Sequence, residues 1–414
     1  MSRPDPAPGP GSQRRRHARI VPTDEGHGVT TLELFFDLVF VFAITQVTAF
    51  MADDLGWRGL LRGLVLLSLL WFAWCSYSWL GNQANAEEGV VRGAVIGAMA
   101  AMFLVALAIP EAWGDEGGGI SAPVVLAGAL AVVRLLHLAV YGVAALGDAG
   151  LRRTLLKAAA PVGASAVRLV LGAVAGGPTQ TVLWAVAVAV DYTGIYATGS
   201  DWRLPAPGHF AERYGLIVII ALGESIIAVG VGVTDLPLTV PIAGAALLGL
   251  AVSVALWWLY FDVVAPVAER ELRRRTGDER VRLARDSYPY LHFPMVAGVI
   301  YLALGLKKVA EYVGDGTHHA LTDPLSTTAL WALYGGVASY LIGHLAFRLR
   351  NLGSINRPRA VVAVLVLVAP LAVGRLPALA QLGVLAGVLV ALIVVEFVRY
   401  ADARAAIREE VAHH

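Results

Sequence analysis

The stretch T-L-E-L-F-F-D-L-V-F-V-F-A-I-T-Q-V-T-A-F-M (31–51) contains no glycine, no proline and no basic side chain. About 20 apolar residues in a helix cross the roughly 30 Å hydrocarbon core of a bilayer, so this segment has the length and character of a membrane span. Two acids interrupt it, Glu33 and Asp37. An ionisable residue at the centre of a spanning helix costs about 2.5–3.5 kcal/mol on insertion scales, so both acids need a reason to be there.

Outward from this stretch, apolar runs recur at about 60–80, 91–110, 120–145, 154–175 and 179–198. A second set falls at about 213–233, 239–264, 289–310, 326–348, 359–374 and 378–399. The composition agrees, with 57% hydrophobic and 15% charged residues among 414. A soluble domain carries about 45–50% and about 25%, and a single core stops growing near roughly 250–300 residues. A disordered chain, a coiled coil, a disulfide scaffold and a nucleic-acid binder all fit poorly. The single cysteine, Cys75, excludes an internal disulfide and a multi-cysteine metal site. A net charge of +1 offers no general attraction for nucleic acid. The expected fold class is all-α, a polytopic transmembrane helical bundle of about 12 spans embedded in a lipid bilayer.

Twelve spans put both termini on one side. Of the 32 basic residues, 25 fall in the segments that would share the termini's side and 5 in the opposite ones, with Arg134 and Arg168 inside spans. Basic loops stay cytoplasmic, so the expectation is a multi-pass plasma (inner) membrane protein with both termini cytoplasmic. Residues 1–28 lack an apolar signal region and read as a disordered cytoplasmic tail, and 401–414 as a second tail. Seven arginines between Arg270 and Arg285 mark an Arg-rich cytoplasmic loop, 265–287, in contact with anionic headgroups.

The polar landmarks recur in order. Asp37 and Glu224 stand 187 residues apart, and the same offset carries Trp71 onto Trp258. His137 in L-L-H-L-A-V-Y then matches His344 in I-G-H-L-A-F-R, and Asp191 in A-V-D-Y matches Glu396 in V-V-E-F. This order predicts two six-helix repeats, 29–200 and 201–400, in parallel orientation.

Candidate functional residues are the polar ones that a bilayer excludes. Glu33 and Asp37 are spaced i,i+4 and share a helix face, which Thr45 and Thr48 roughly continue. They form either a proton- or cation-responsive pair or a structural pair that pins the helix end. Glu224 has no neutralising neighbour on its own helix; Ser225 can only hydrogen-bond. Arg134 and His137, at i,i+3, either hold an anion, shuttle protons, or pair with Asp37 or Glu224. Arg168, Asp191, His292 and His344 are secondary candidates. Trp71 and Trp74 read first as core packing. No P-loop, H-E-x-x-H, D-D-x-x-D or nucleophile elbow is present, and no cofactor or bound metal is expected.

The segments T-L-E-L-F-F-D-L-V-F-V-F-A-I (31–44), E-R-Y-G-L-I-V-I-I-A-L-G-E-S-I-I-A (212–228) and Y-P-Y-L-H-F-P-M-V-A-G-V-I (288–300) resemble the low temperature requirement protein A (LtrA) family. The resemblance covers nearly the whole chain after the tail. It implies that Glu33, Asp37, Glu212, Arg213, Glu224 and His292 belong to the family's polar pattern, and it assigns no substrate or reaction. The pair Lys307–Lys308 departs from the pattern. More loosely, F-F-D-L-V-F-V-F-A-I-T (35–45) is similar to the F-S-D-type first helix of the potassium channels with six-span repeats. Here Phe36 replaces the serine, no basic residue stands four before Phe35, and a potassium-channel function does not follow.

The preferred expectation is a transporter or channel-like protein that moves a small ion or solute, with Asp37 and Glu224 at a central site beside Arg134 and His137. The alternatives are an intramembrane enzyme acting on a lipid or isoprenoid, and a structural or cold-stress membrane protein without transport. Assembly as a homo-oligomer is compatible with each.

Overall fold

The computed structural model describes residues 28–84, 86–87, 89–114, 119–146, 149–199, 202–234 and 236–399. The two expected tails lie outside these, apart from residue 28. Among the described residues there are fourteen helices and no strand. They are α1 (Thr31–Asp53), α2 (Trp57–Gln83), α3 (Gly89–Ala108), α4 (Ala122–Ala144), α5 (Ala149–Ala175), α6 (Gly177–Ala197) and α7 (Pro207–Gly232). There follow α8 (Val240–Phe261), α9 (Val264–Arg274), α10 (Gly277–Gly314), α11 (Thr327–Leu352), α12 (Arg357–Val368), α13 (Pro370–Val373) and α14 (Ala378–Arg399).

Ten of these helices are long and apolar enough to cross a membrane. Two segments expected to span fall short. In α6 the buried face runs Gln180, Trp184, Ala187, Asp191, so its two ends are polar and its hydropathy drops. The 359–374 run is split where Pro370, which has no N–H to donate, starts the four-residue α13, leaving α12 with only 12 residues. The chain is thus a polytopic helical bundle with ten long apolar helices among its described residues, α6 and the α12–α13 segment standing below that measure.

Local sequence sets several boundaries. The Thr239 hydroxyl caps α8 by accepting from the Ile242 N–H, Ser326 caps α11 through Ala329, and Asn356 caps α12 through Arg359. Each satisfies an orphan donor of a helix start. Gly353 ends α11 at φ 65°, a left-handed position that glycine adopts without penalty. Outer faces are apolar: Leu156, Val167, Leu171 and Val174 of α5 are all exposed. A helix that shows aliphatic side chains outward is suited to lipid.

The chain divides into two compact units, Met1–Phe40 with Phe72–Phe210, and Val41–Trp71 with Ala211–His414. Helices α1, α2 and α7 contribute residues to both. In the first unit α3, α4, α5 and α6 pack in sequence order, each on the next. Trp184 of α6 lies against Gly172 of α5 and donates its indole N–H to the Leu169 carbonyl at 2.9 Å.

In the second unit the closest packing joins α10 and α11. A Cβ added to Gly336 would stand 2.5 Å from the Gly298 carbonyl oxygen, and one added to Gly298 would stand 2.7 Å from the Tyr340 nitrogen. Seven residues along each helix, Gly305 meets the Leu333 backbone and Gly343 meets Met295 and Pro294. Small residues at this spacing let two backbones approach where no hydrophobic effect drives helices together. Pro289 and Pro294 lie inside α10, and their own carbonyls accept from Trp71 Nε1 and Ser339 Oγ, both at 2.8 Å. Short α9 turns Val264, Ala268 and Leu272 inward and pairs its charges along its surface, Arg273 with Glu269 and Arg275 with Glu271.

Candidate functional site

In the first unit, α1 begins with a capping box. The Thr30 hydroxyl accepts from the Glu33 N–H at 3.3 Å, and Glu33 Oε2 accepts from the Thr30 N–H at 3.0 Å and from the Thr30 hydroxyl at 3.1 Å. His209 Nε2 lies 3.0 Å from the same oxygen. Glu33 is therefore held at the helix end by its own turn and by the start of α7. One turn further in, Asp37 is fully buried and its Oδ1 accepts from Trp74 Nε1 at 2.8 Å. Phe36 packs beside it, with ring centroids 5.1 Å from Phe40 and 5.0 Å from Tyr77.

Arg134 has a carboxylate partner of its own. Its guanidinium donates to Asp191 Oδ1 at 2.9 Å and Oδ2 at 2.6 Å, and to Ser165 Oγ at 2.7 Å. Ser165 in turn donates to Asp191 Oδ2 at 2.9 Å, and the Phe72 ring lies 5.3 Å below the guanidinium carbon. Helices α4, α5 and α6 each contribute one member. Arg168, half-buried on α5, donates to the Ala164 carbonyl of its own helix at 2.7 Å. His137 sits between Tyr77 and Tyr141, at 5.7 and 4.8 Å between ring centroids. Its Nε2 and the Tyr141 hydroxyl are buried and have no hydrogen-bond partner among the described residues.

The second unit holds Glu224, 2% exposed and in the middle of α7. Its Oε2 stands 2.6 Å from the Thr45 hydroxyl on α1. Thr48 also faces it from α1, and Lys307 acts on it electrostatically from α10. Among the described residues no cation is close enough to form an ion pair with it. Ser225, next along the chain, shares a 2.7 Å hydrogen bond with Ser253 of α8. At the start of the family-like E-R-Y-G segment Glu212 is exposed and Arg213 is buried.

Both secondary histidines are fully buried in this unit. His292 Nε2 lies 2.8 Å from the Tyr260 hydroxyl, stacked on Tyr288. His344 stands 3.0 Å from Arg359 Nη1. Arg359 makes a fork onto Glu396, Nε to Oε1 and Nη2 to Oε2, both at 2.7 Å, and Asn356 Nδ2 adds a third bond at 2.8 Å. No group of three or more His, Cys, Asp or Glu side chains that could hold a metal occurs among the described residues.

The structure thus joins Arg134 to Asp191 and His344 to the Arg359–Glu396 pair. Asp37, Arg134 and His137 belong to the first unit, and Glu224 to the second. Sequence reasoning passed over His209, Ser165, Tyr260 and Arg359. Only Arg359 carries a usable signal, a basic residue at the mouth of the 359–374 apolar run.

Ten long apolar helices with several ionic groups buried among them define a multi-pass membrane protein. The sequence profile described as "Bacterial low temperature requirement A protein (LtrA)" matches residues 28–394. The chain belongs to that family. It is also similar to "Uncharacterized protein RA0937" of Rhizobium meliloti (strain 1021), with 31% identity over 286 residues, 66% of this chain and 67% of the relative. No solved structure matches it.

Proposed function

We propose that the protein is a transporter or channel-like protein that moves a small ion or solute across the membrane, with Asp37 and Glu224 as its intramembrane carboxylates. Glu224 supports this reading most. Two other buried acids, Asp191 and Glu396, are neutralised by bidentate arginines, as buried structural charges are. Glu224 instead meets threonine hydroxyls and has no paired cation among the described residues. A buried carboxylate without such a partner is neutralised by a proton or a mobile cation, and that is the property a transport site needs.

The proposed arrangement is two six-helix repeats in parallel orientation. The two arginine–carboxylate pairs support it: Arg134–Asp191 joins the fourth and sixth helical segments of one half, and Arg359–Glu396, with His344 beside it, joins the fourth, fifth and sixth of the other. The proposed location is the plasma membrane with both ends cytoplasmic, supported by the 25 basic residues that twelve alternating crossings would gather on one side.

The test is flux into liposomes that hold the full chain, over a panel of cations and with pH varied. Flux that falls in Asp37→Asn and Glu224→Gln while the protein stays folded is the expected result. Equal flux in folded variants overturns the assignment of the two acids. Turnover of an extracted lipid without any flux would replace transport with enzymatic chemistry.

A further inference from the structure

We infer that the species exchanged at Glu224 is a proton, and that Thr45 is the positioning residue that serves both protonation states. The inference rests on the transport reading for its biological meaning, but its geometry is independent. The Thr45 hydroxyl has one hydrogen and two acceptors in reach, Glu224 Oε2 at 2.6 Å and the Val41 carbonyl at 3.1 Å. With Glu224 ionised, that hydrogen points at the carboxylate. When Glu224 takes up a proton from water, its own O–H donates to Thr45 Oγ1, and the threonine hydrogen turns to Val41. The hydronium ion that delivers the proton breaks one O–H bond and leaves as water, and the carboxylate gains that proton and one O–H bond. No heavy atom has to move, and the Glu224–Thr45 hydrogen bond is kept in both states.

A metal cation bound by both oxygens would have to part them: ligands on adjacent corners of even the small Mg²⁺ octahedron, with bonds of 2.0–2.1 Å, stand about 2.9 Å apart, and larger ions spread them further. A 2.6 Å separation falls in the range of a charge-assisted O–H···O bond. The other groups facing Glu224 are the Thr48 hydroxyl on α1 and the Lys307 ammonium on α10. Lys307 offers positive charge, which opposes a bound proton and a bound metal cation alike.

Infrared difference spectroscopy of the purified full-length protein, titrated with pH, tests this without any flux measurement. The carboxylic-acid C=O band of Glu224 is assigned by its loss in Glu224→Gln. The expected result is a band that follows pH, is unmoved by added Na⁺, K⁺ or Mg²⁺, survives in Thr45→Ser and is displaced in Thr45→Val. An unfolding midpoint of Thr45→Val in detergent that matches that of Thr45→Ser controls for loss of fold. A band that vanishes on adding cations at fixed pH, or that is identical in Thr45→Val, overturns the inference. So does the absence of any pH-dependent band. An intact, Thr45-dependent titration in a protein that supports no flux upholds the inference and removes the transport reading instead.

Discussion

Arg134 and Asp191, 57 residues apart in sequence, are joined by two parallel hydrogen bonds of 2.9 and 2.6 Å. Both side chains are buried, so each charge is tolerated only because the other is there. Removing one member strands its partner and costs about 3–5 kcal/mol, whereas replacing both by apolar residues of similar volume is often neutral. Arg134→Met is therefore expected to lower the unfolding midpoint in detergent sharply. Arg134→Met combined with Asp191→Leu is expected to recover most of the loss. A double variant less stable than the single one would show that the pair does more than balance charge.

The α10–α11 contact gives a second prediction. Gly336→Ala drives a methyl into the Gly298 carbonyl, 2.5 Å away, and overpacking of this kind costs about 1–3 kcal/mol. Gly335→Ala is the control, because a Cβ there meets nothing within 4 Å. Thermal unfolding of the two variants side by side checks the difference.

At the start of α1, Thr30→Ala removes the hydroxyl that both accepts from the Glu33 N–H and donates to its carboxylate. Loss of an N-cap side chain costs about 1 kcal/mol. Faster amide exchange in the first turn of α1 is expected, with Thr30→Ser close to wild type. Unchanged exchange in Thr30→Ala would leave His209 as the group that holds Glu33.

Outside the spanning helices, Asp315 follows α10. Hydrogen bonds from Thr317 and then His318 hold its carboxyl down at about 2 from the ordinary 3.8. A depressed carboxyl stabilises its loop above the unfolded value, and the contribution fades as pH falls from near 3.8 through about 2. The Thr317 amide, which donates to Asp315 Oδ1 at 3.1 Å, is expected to lose exchange protection across that window. In Asp315→Asn the protection would no longer vary with pH there.

The helical class and the position of the odd charges were legible because apolar length and isolated acids are local properties of a sequence. Glu33 and Asp37 stood out in 31–51 for that reason, and Glu224 likewise in α7. Their partners were not legible. His209 reaches Glu33 across 176 residues, and Arg359 reaches Glu396 across 37. In helices that are apolar on every side, periodicity does not distinguish the face toward neighbouring helices from the face toward lipid. Trp74 shows the cost, since it read as packing and is a hydrogen-bond donor to Asp37. The break in the 359–374 run has a related cause: hydropathy averages over Pro370, which the backbone cannot ignore.

The glycine contact between α10 and α11 bears on how this molecule can move. Sliding either helix by a residue would replace a bare backbone with a side chain at a place that has no room for one. Those two helices are therefore geared together like a shaft and its sleeve locked by a key. Any working stroke that carries Lys307 toward or away from Glu224 has to take Leu333 and Tyr340 with it.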